Sequence, residues 1–539
     1  MMERVSASEL LLLIIAKVLL FLLFPLYLVL RLFFLITTDY GIWSVLSYVF
    51  FIVELYFIIH ATNYLVSYIH STKHYPGMIR SVPRRENGSP KTAVFIASFN
   101  EPSEVVEDTM LAAKRMNYPK KEIYLLDDSD DPQIILEVDA AAKRNGIPVI
   151  RRQHRTGFKG GSLNEAIARV ECDYVAVFDS DQQPEKNFLS ELIPIFEADA
   201  SIGFIQTPQL PKKSLVEGGF VESAAASSQY IFYRHVCEGK GAINAQFSCG
   251  SNVVYRRSAL ESIRRNEGDR EIYLDEWSVT EDYASSVLLH EKGWKSLFYN
   301  KTHGNGLVPA TLDAFKAQRS RWAIGTTSVF LRYFPRILFG KNFSTWQKWE
   351  YIISGTYFLL GMANFLMIIN AAIFVLLDIP TYAFLSLVLF IFNSVVFHYS
   401  QRLRGNWSRN LFYEQVLNFL MFPMYLDAVV AGLLGRNVTF TVTRKFNGGS
   451  RDAADLRIQK GVLVVMVLVF SFGVWRFLST GGEYVLINLF WIGYIIFMLA
   501  AGLILMKLEE SRKPQSEPAF WKNHSPRLFG DGWHMPATI

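Results

Sequence analysis

The sequence predicts an α/β domain set between groups of membrane-spanning helices, and three observations carry that prediction. The composition is apolar, 51% hydrophobic and 14% aromatic over 539 residues, which exceeds what an ordinary soluble enzyme carries. Long apolar runs stand on both sides of a central region. Within that region, from residue 90 to about 310, short β-rich stretches alternate with amphipathic ones, the pattern of a mostly parallel sheet covered by helices.

Composition also excludes some functions. A net charge of +5 is small for this length, and the basic residues form neither a long run nor an aromatic-interleaved stripe, so no nucleic-acid partner is expected. Cys172, Cys237 and Cys249 lie outside the apolar segments without metal-ligand spacing, which argues against a disulfide framework or a zinc site.

Apolar runs near 11–36 and 43–66 are long enough to cross a bilayer, which takes about 20 helical residues. The first follows Arg4 as a signal peptide would, but its length and the lack of a small-residue cleavage site read as a retained anchor. The central strands are expected in "TAVFIASFN", "EIYLLDDSD", "PVIRR", "YVAVFDSD" and "IGFIQTPQ". Helices are expected in "PSEVVEDTMLAAKRM", "PQIILEVDAAAKRN" and "GGSLNEAIARV" between the first four. Ligands of such a sheet bind at the carboxyl ends of its strands.

Later apolar runs fall near 351–377, 381–399, 413–434, 461–478 and 485–507. Loops 37–42, 378–380 and 479–484 hold no basic residue, whereas 401–412 holds Arg402, Arg404 and Arg409, and 436–460 holds Arg436, Arg444, Lys445, Arg451, Arg457 and Lys460. The positive-inside rule places both basic loops in the cytoplasm. The run between them, which carries Glu414, Gln415, Asn418 and Asp427, is then expected to lie in the interface or re-enter. Six spanning helices result, two before and four after a cytoplasmic domain, with both termini inside. Arg476, near an outer helix end, is the one mild violation. The N-x-S/T sequons at Asn87, Asn300, Asn342, Asn406, Asn437 and Asn523 all fall on the cytoplasmic side and read as chance matches.

The chemistry-bearing residues gather at predicted strand ends. Asp179 and Asp181 alternate at the end of "VAVFDSD", where two carboxylates can hold a hard divalent cation that bridges a diphosphate. An isolated Asp-x-Asp is more often a solvated acidic turn. Here Asp127 and Asp128 end a second strand, and Asn100 and Glu101 end a third, so a polar crevice is expected. Glu281 and Asp282 open a helical pattern after Thr280. A capped helix start accounts for them structurally, and it would also fix a carboxylate as a general base must be fixed. In "QRSRW", Gln318, Arg321 and Trp322 share one helical face. They suit a diphosphate and a sugar ring, or an interfacial arginine and tryptophan belt. Cys249 defaults to a structural thiol. Glu54 and His60, inside an apolar run, suit helix packing or a polar channel wall equally.

In order along the chain stand "SFNEP" at 98, "LDDSDD" at 126, "HRTGFKGGSLNEA" at 154, "FDSD" at 178, "QTP" at 206, "FSCGSN" at 247, "TED" at 280, "QRSRW" at 318 and "TFTVTRK" at 439. Over residues 90–460 these motifs resemble those of the processive family 2 glycosyltransferases. Within that group the chain is most similar to the bacterial cellulose synthase catalytic subunit and related curdlan and mixed-linkage β-glucan synthases. The resemblance implies a GT-A (Rossmann-like) domain inserted between α-helical transmembrane segments, acting as an inverting transferase in the plasma membrane. By the same resemblance Asn100, Glu101 and Asp127 would hold the uridine, with Asp128 near the nucleotide, and Lys159 would stand close to the diphosphate. Asp179 and Asp181 would engage the sugar nucleotide and its Mg2+ or Mn2+. Glu281 and Asp282 would be the catalytic pair, with Asp282 the base. Gln318 and Arg321 would face the donor, while Cys249, Gly250 and Trp322 would face the acceptor. Phe440, Val442, Thr443 and Lys445 would form a gating loop.

The implied domain order is two transmembrane helices in 1–70, the glycosyltransferase domain in 90–310, interfacial helices with "QRSRW" in 311–350 and two transmembrane helices in 351–400. An interfacial helix and the gating loop follow in 401–460, two more transmembrane helices in 461–507 and a cytoplasmic tail in 508–539. The implied partners are UDP-glucose or another nucleotide sugar, the growing polysaccharide and the lipid bilayer, with accessory secretion subunits left open. A β-1,4 glucan is the first expectation. A β-1,3 or mixed-linkage glucan, a mannan, or transfer to a lipid carrier are the alternatives, because "LDDSDD" is also similar to the "LDDSTD" of plant mannan synthases. Two departures stand out. Ser129 replaces the glycine of the family's "DDG", and the tail is too short for a cyclic-dinucleotide-binding domain.

Overall fold

A computed structural model describes residues 7–37, 41, 44–73, 89–211, 218–301, 304–377, 383–406, 408–435, 455–481 and 483–511. The expected gating-loop residues Phe440, Val442, Thr443 and Lys445 lie outside the described residues.

The central domain is a seven-stranded sheet. Its strands are β1 (Thr92–Ser98), β2 (Lys121–Asp127), β3 (Val149–Ile150), β4 (Tyr174–Asp179), β5 (Ile202–Gln206), β6 (Val253–Arg256) and β7 (Lys295–Phe298), in the spatial order β7-β5-β6-β4-β1-β2-β3. Every neighbouring pair is parallel except those made by β6, which runs against both β4 and β5. This mixed sheet is the GT-A arrangement. The four-residue strands β6 and β7 are absent from the sequence-based strand set.

Alternate residues of each strand feed opposite faces. On one face Val94, Ile96, Leu125, Ala176 and Phe178 pack under α3 (Ser103–Lys114), α4 (Pro132–Asn145) and α6 (Phe188–Ala198). On the other, Ala93, Phe95, Leu126, Val175 and Val177 pack under α5 (Phe158–Arg169). Both faces are covered, which is why these strands read as unbroken apolar runs. Burying a phenylalanine such as Phe95 or Phe178 stabilises the sheet by about 2 to 3 kcal/mol. Register then aligns the functional edge. Ser98 pairs with Asp127 and Ala97 with Asp179, so the end of β1 finishes level with two acidic strand ends.

Among the described residues, five helices are long and apolar enough to cross a membrane: α1 (Ala7–Thr37), α2 (Ser44–Lys73, apolar over 44–71), α11 (Thr345–Leu377), α15 (Arg457–Thr480) and α16 (Glu483–Glu510, apolar from Val485). Helices α13 (Ser408–Leu420) and α14 (Phe422–Leu433), in the segment expected to be interfacial or re-entrant, are bent by 56° and make a sixth span only if taken together. Pro423 in the first turn of α14 supplies the break. Helix α12 (Ala383–Leu403) covers the run expected to span near 381–399.

Inside the first helix pair, Arg31 Nε lies 2.7 Å from Glu54 Oε2, and Tyr27 also donates to Glu54. Glu54, which the sequence left open between packing and channel, is thus half of a buried ion pair. Removing one partner of such a pair strands a charge in an apolar setting, at a cost of about 3 to 5 kcal/mol. Glu54→Leu is therefore expected to lower the melting temperature of the purified protein, and the double change Arg31→Met with Glu54→Leu to recover most of it. Thermal melts in one detergent would show this. A single variant as stable as the parent would rule the pair out as a stabilising tie.

Candidate active site

The level strand ends open into a cavity of about 540 Å³. Phe99 and Glu101 enter it from the end of β1, Asp128 and Asp130 from β2, and Asp179 and Asp181 from β4. Its far wall is made by Cys249 and Gly250 ahead of β6, by Glu281 and Asp282 at the start of α9 (Glu281–Glu291), and by Gln318, Arg321 and Trp322 on α10 (Leu312–Phe339). The predicted site residues thus converge from seven separated segments.

Two of them stand behind the wall. Asp127 is fully buried, with Oδ2 2.6 Å from Arg151 Nη2 and Oδ1 accepting from the Ser129 hydroxyl at 2.6 Å. Asn100 holds a left-handed φ of +50°, a conformation asparagine tolerates better than most residues. Its side chain accepts from the Asp130 amide at 3.0 Å and donates to the Asp130 carboxylate at 2.6 Å. Both residues shape the strand-end turn and do not line the cavity. Ser129 is explained by the same turn. Its backbone is not left-handed, so glycine is not required, and its hydroxyl accepts from the Asn100 amide at 2.9 Å.

The arginines here escaped the sequence reading. Arg152 and Arg155 follow the two-residue strand β3 and line the cavity. Arg152 grips Asp128 through Nη2 at 2.7 Å and Nε at 2.9 Å, and Arg155 reaches Asp130 at 2.9 Å while lying over the Phe99 ring. With Arg151 on Asp127 they form three Asp–Arg pairs side by side. The Asn100 amide and Arg155 hold the Asp130 carboxyl below its ordinary range. The "RRQHR" run was the available signal, but a run of arginines does not reveal which carboxylates it meets.

Lys159, near the start of α5, donates to Asp179 Oδ1 at 2.5 Å and to the Gly250 carbonyl at 2.6 Å. Burial alone would lower its pKa, but Asp179, Glu281 and Asp282 more than offset that and raise it, so the ammonium stays charged. At the start of α9, Thr280 does not cap the helix with its hydroxyl, contrary to the sequence expectation; Asp282 Oδ1 instead accepts from the Tyr283 amide at 2.7 Å. Burial raises both carboxyls of this pair, Asp282 to about 6 and Glu281, with Asp282 adding to the effect, to about 8. The two titrate together, and near neutrality the pair retains one proton.

Gln318, Arg321 and Trp322 all face the cavity, as their shared helical face requires. Arg319 turns the other way. It is buried, donates to the Ser228 hydroxyl at 2.6 Å and lies 4.9 Å from the Trp322 ring centroid, backing the indole. Burial pushes the Cys249 thiol well up, so the cysteine in the wall is neutral and no nucleophile.

Asp179 and Asp181 share the cavity. Among the described residues no group of three or more His, Cys, Asp or Glu forms a ready-made metal cage. A pair of carboxylates fits a magnesium-like cation that takes its remaining oxygens from ligand phosphates and water.

Residues 174–399 match the family described as "Glycosyl transferase family group 2". The chain is 27% identical over 453 residues to the cellulose synthase catalytic subunit (UDP-forming) of Pseudomonas fluorescens (strain SBW25), covering 80% of this chain and 58% of the relative. It is 30% identical to the corresponding subunit of Xanthomonas axonopodis pv. citri (strain 306) over 51% of this chain and 36% of the relative. It is also 30% identical to the probable glucomannan 4-beta-mannosyltransferase 4 of Oryza sativa subsp. japonica, over 49% of this chain and 48% of the relative. The chain spans less than two thirds of the length of each of these relatives. A mannosyltransferase from Pyrobaculum calidifontis, solved in complex with GDP-Man and Mn2+, superposes with a TM-score of 0.47 at 14% identity, covering 71% of this chain and 100% of that one.

Gly250 has φ +76°, and a Cβ placed there would stand 2.8 Å from Asp282 Oδ2. Gly250→Ala is expected to cost about 1 to 3 kcal/mol through backbone strain, and to push the Asp282 carboxylate out of place. Thermal melting together with a crystal or cryo-EM structure of the variant checks both. An unstrained variant with Asp282 unmoved would contradict the close approach.

Proposed function

Because the chain carries a family 2 glycosyltransferase domain, we propose that the protein is a membrane-embedded, inverting and processive glycosyltransferase. It polymerises a β-glucan, of the β-1,4 cellulose type, from UDP-glucose and passes the product through its own helix bundle. The observation that carries this reading is the convergence of three groups on one cavity: Lys159 with Asp179 and Asp181, the Asp282 carboxylate, and the Gln318, Arg321 and Trp322 face.

In the proposed reaction the nucleotide lies along the ends of β1 and β2, with its diphosphate toward Lys159 and Arg321. Asp282 removes the proton from the acceptor hydroxyl as that oxygen attacks the anomeric carbon, and the bond to UDP breaks on the opposite face. Lys159 and Arg321 stabilise the charge that develops on the departing diphosphate. A divalent cation held by Asp179 and Asp181 would supply further charge neutralisation there. Glu281 keeps the proton that the pair retains near neutral pH, which leaves Asp282 as the base. One base suffices for inversion. Trp322 offers its flat face to the acceptor sugar.

Translocation is supported by polar groups that continue from Trp322 into the bundle. Arg319 acts electrostatically on Tyr357, Glu414 and Tyr425, Asn418 donates to Glu414, and the Tyr425 hydroxyl donates to Asn418 at 3.0 Å. Polar side chains at membrane depth are costly and mark polar pathways, which a hydroxyl-rich chain requires. The basic loops argue for a catalytic domain in the cytoplasm, and the family resemblance for the plasma membrane. The similarity to the rice glucomannan mannosyltransferase favours one alternative, a β-mannan made from GDP-mannose.

Asp282→Asn is expected to lower sugar transfer by at least about 100-fold while UDP affinity, read by calorimetry, holds. Loss of UDP binding in that variant would mean the base is misassigned. In the parent protein the active form has Asp282 deprotonated. The quantity kcat/KM should therefore fall as pH drops through about 6. A rate that rises on acidification would contradict a carboxylate base.

A further inference from the structure

One helical stretch of the catalytic domain packs directly on the membrane helices. It comprises α7 (Phe220–Ile231), a π-turn (Phe232–Cys237) and α8 (Glu238–Ala242). Gly239 lies so close to α2 that a Cβ there would stand 2.5 Å from Ser67, and the His235 ring stacks on Tyr64 at 3.9 Å. One residue further on is a buried cation. Lys240 is 2% exposed and Glu350, on α11, is 1% exposed, with Nζ 3.4 Å from Oε2. Lys240 also donates to the Ser354 hydroxyl at 2.6 Å. Asn63 of α2 reaches Glu350 at 3.5 Å and accepts from the Trp349 indole at 2.7 Å.

Stability alone does not account for such a pair. Desolvating both ions costs about as much as their attraction returns, and apolar residues of the same volume are often as stable or more so. What distinguishes this pair is its surroundings. Lys240 Nζ sits 4.4 Å from the centroid of the Phe247 ring, whose edge meets Tyr283 at 5.1 Å and 87°. Tyr283 directly follows Asp282, and its hydroxyl donates to the Tyr351 carbonyl at 3.2 Å. Tyr351 directly follows Glu350. The contacts therefore close a ring from Lys240 through Phe247, Tyr283 and the Glu350–Tyr351 backbone back to Lys240. The ring joins the first turn of α9 to a membrane helix without touching the cavity.

We propose that Lys240, Glu350 and Phe247 are positioning residues that fix the Asp282 carboxylate against the membrane helices; this rests on Asp282 being the base in the proposed reaction. Through the ring, the base sits at a set distance from the mouth of the bundle, where the acceptor end of the product must lie. The nucleotide end of the cavity, built on β1, β2 and β3, takes no part in it.

The test uses the full chain in lipid and three readouts: melting temperature, UDP affinity by calorimetry, and the rate of UDP release from UDP-glucose. In the double variant Lys240→Met with Glu350→Met the melting temperature and UDP affinity are expected to hold while the rate falls roughly 10- to 100-fold, as for a displaced catalytic group. Phe247→Leu keeps both charges and removes the ring between them and Tyr283, so it should show the same split even if the double variant fails to fold. A double variant that keeps the parental rate would make the pair merely structural and overturn the proposal. Phe247→Leu acting at the parental rate, or losing rate and UDP affinity together, would overturn it as well. A parent chain that releases no UDP would sink the glycosyltransferase reading itself, a different failure from active variants beside an active parent.

Discussion

The site depends first on the Lys159 ammonium. Asp179, Glu281 and Asp282 line one cavity, Glu281 buried and Asp179 part-exposed. Two like charges about 4 Å apart repel by about 4 kcal/mol at the effective dielectric of a protein near its surface. Lys159 joins Asp179 to the Gly250 carbonyl and so links the end of β4, the start of α5 and the loop ahead of β6. A proton retained by Glu281 and Asp282 removes a further charge. The cavity is thus partly neutralised yet still rich in carboxylates, a state suited to receiving a cation together with a diphosphate.

Around that centre the architecture separates two tasks. The nucleotide side is held stiff by the pairs Arg151–Asp127, Arg152–Asp128 and Arg155–Asp130 on strand ends whose register already makes them level. The acceptor side rests on α9 and α10, elements that touch the membrane bundle. Helix α10 carries Gln318, Arg321 and Trp322 into the cavity, and Arg319 on its other side leads toward Glu414 and Tyr425. In the proposed reaction, binding the donor and moving the product are then the work of different walls of one cavity.

Much of this was legible in the sequence, and the reasons differ by residue. Strands β1, β2 and β4 announced themselves because burial on both faces makes them continuous apolar runs, and a strand's end is where its acidic residues must lie. The shared face of Gln318, Arg321 and Trp322 followed from helical period alone. What escaped depended on partners distant in sequence. Arg152 and Arg155 looked like ordinary surface charges until the crossover to β3 brought them beside Asp128 and Asp130. Asn100 and Asp127 sat in the right motifs but turn their polar atoms to the backbone and to Arg151. Lys240 and Glu350 are 110 residues apart in the chain. The antiparallel β6 was not among the expected strands.

The central claim, that this cavity builds a polysaccharide, is tested most directly by its product. Purified protein reconstituted in lipid would be given manganese and, in separate reactions, radiolabelled UDP-glucose, GDP-mannose or UDP-N-acetylglucosamine, and any polymer would then be digested with linkage-specific hydrolases. A glucose polymer degraded by a β-1,4-glucanase is the predicted result. A short lipid-soluble glycoside with no polymer, from any of the donors, would contradict the account.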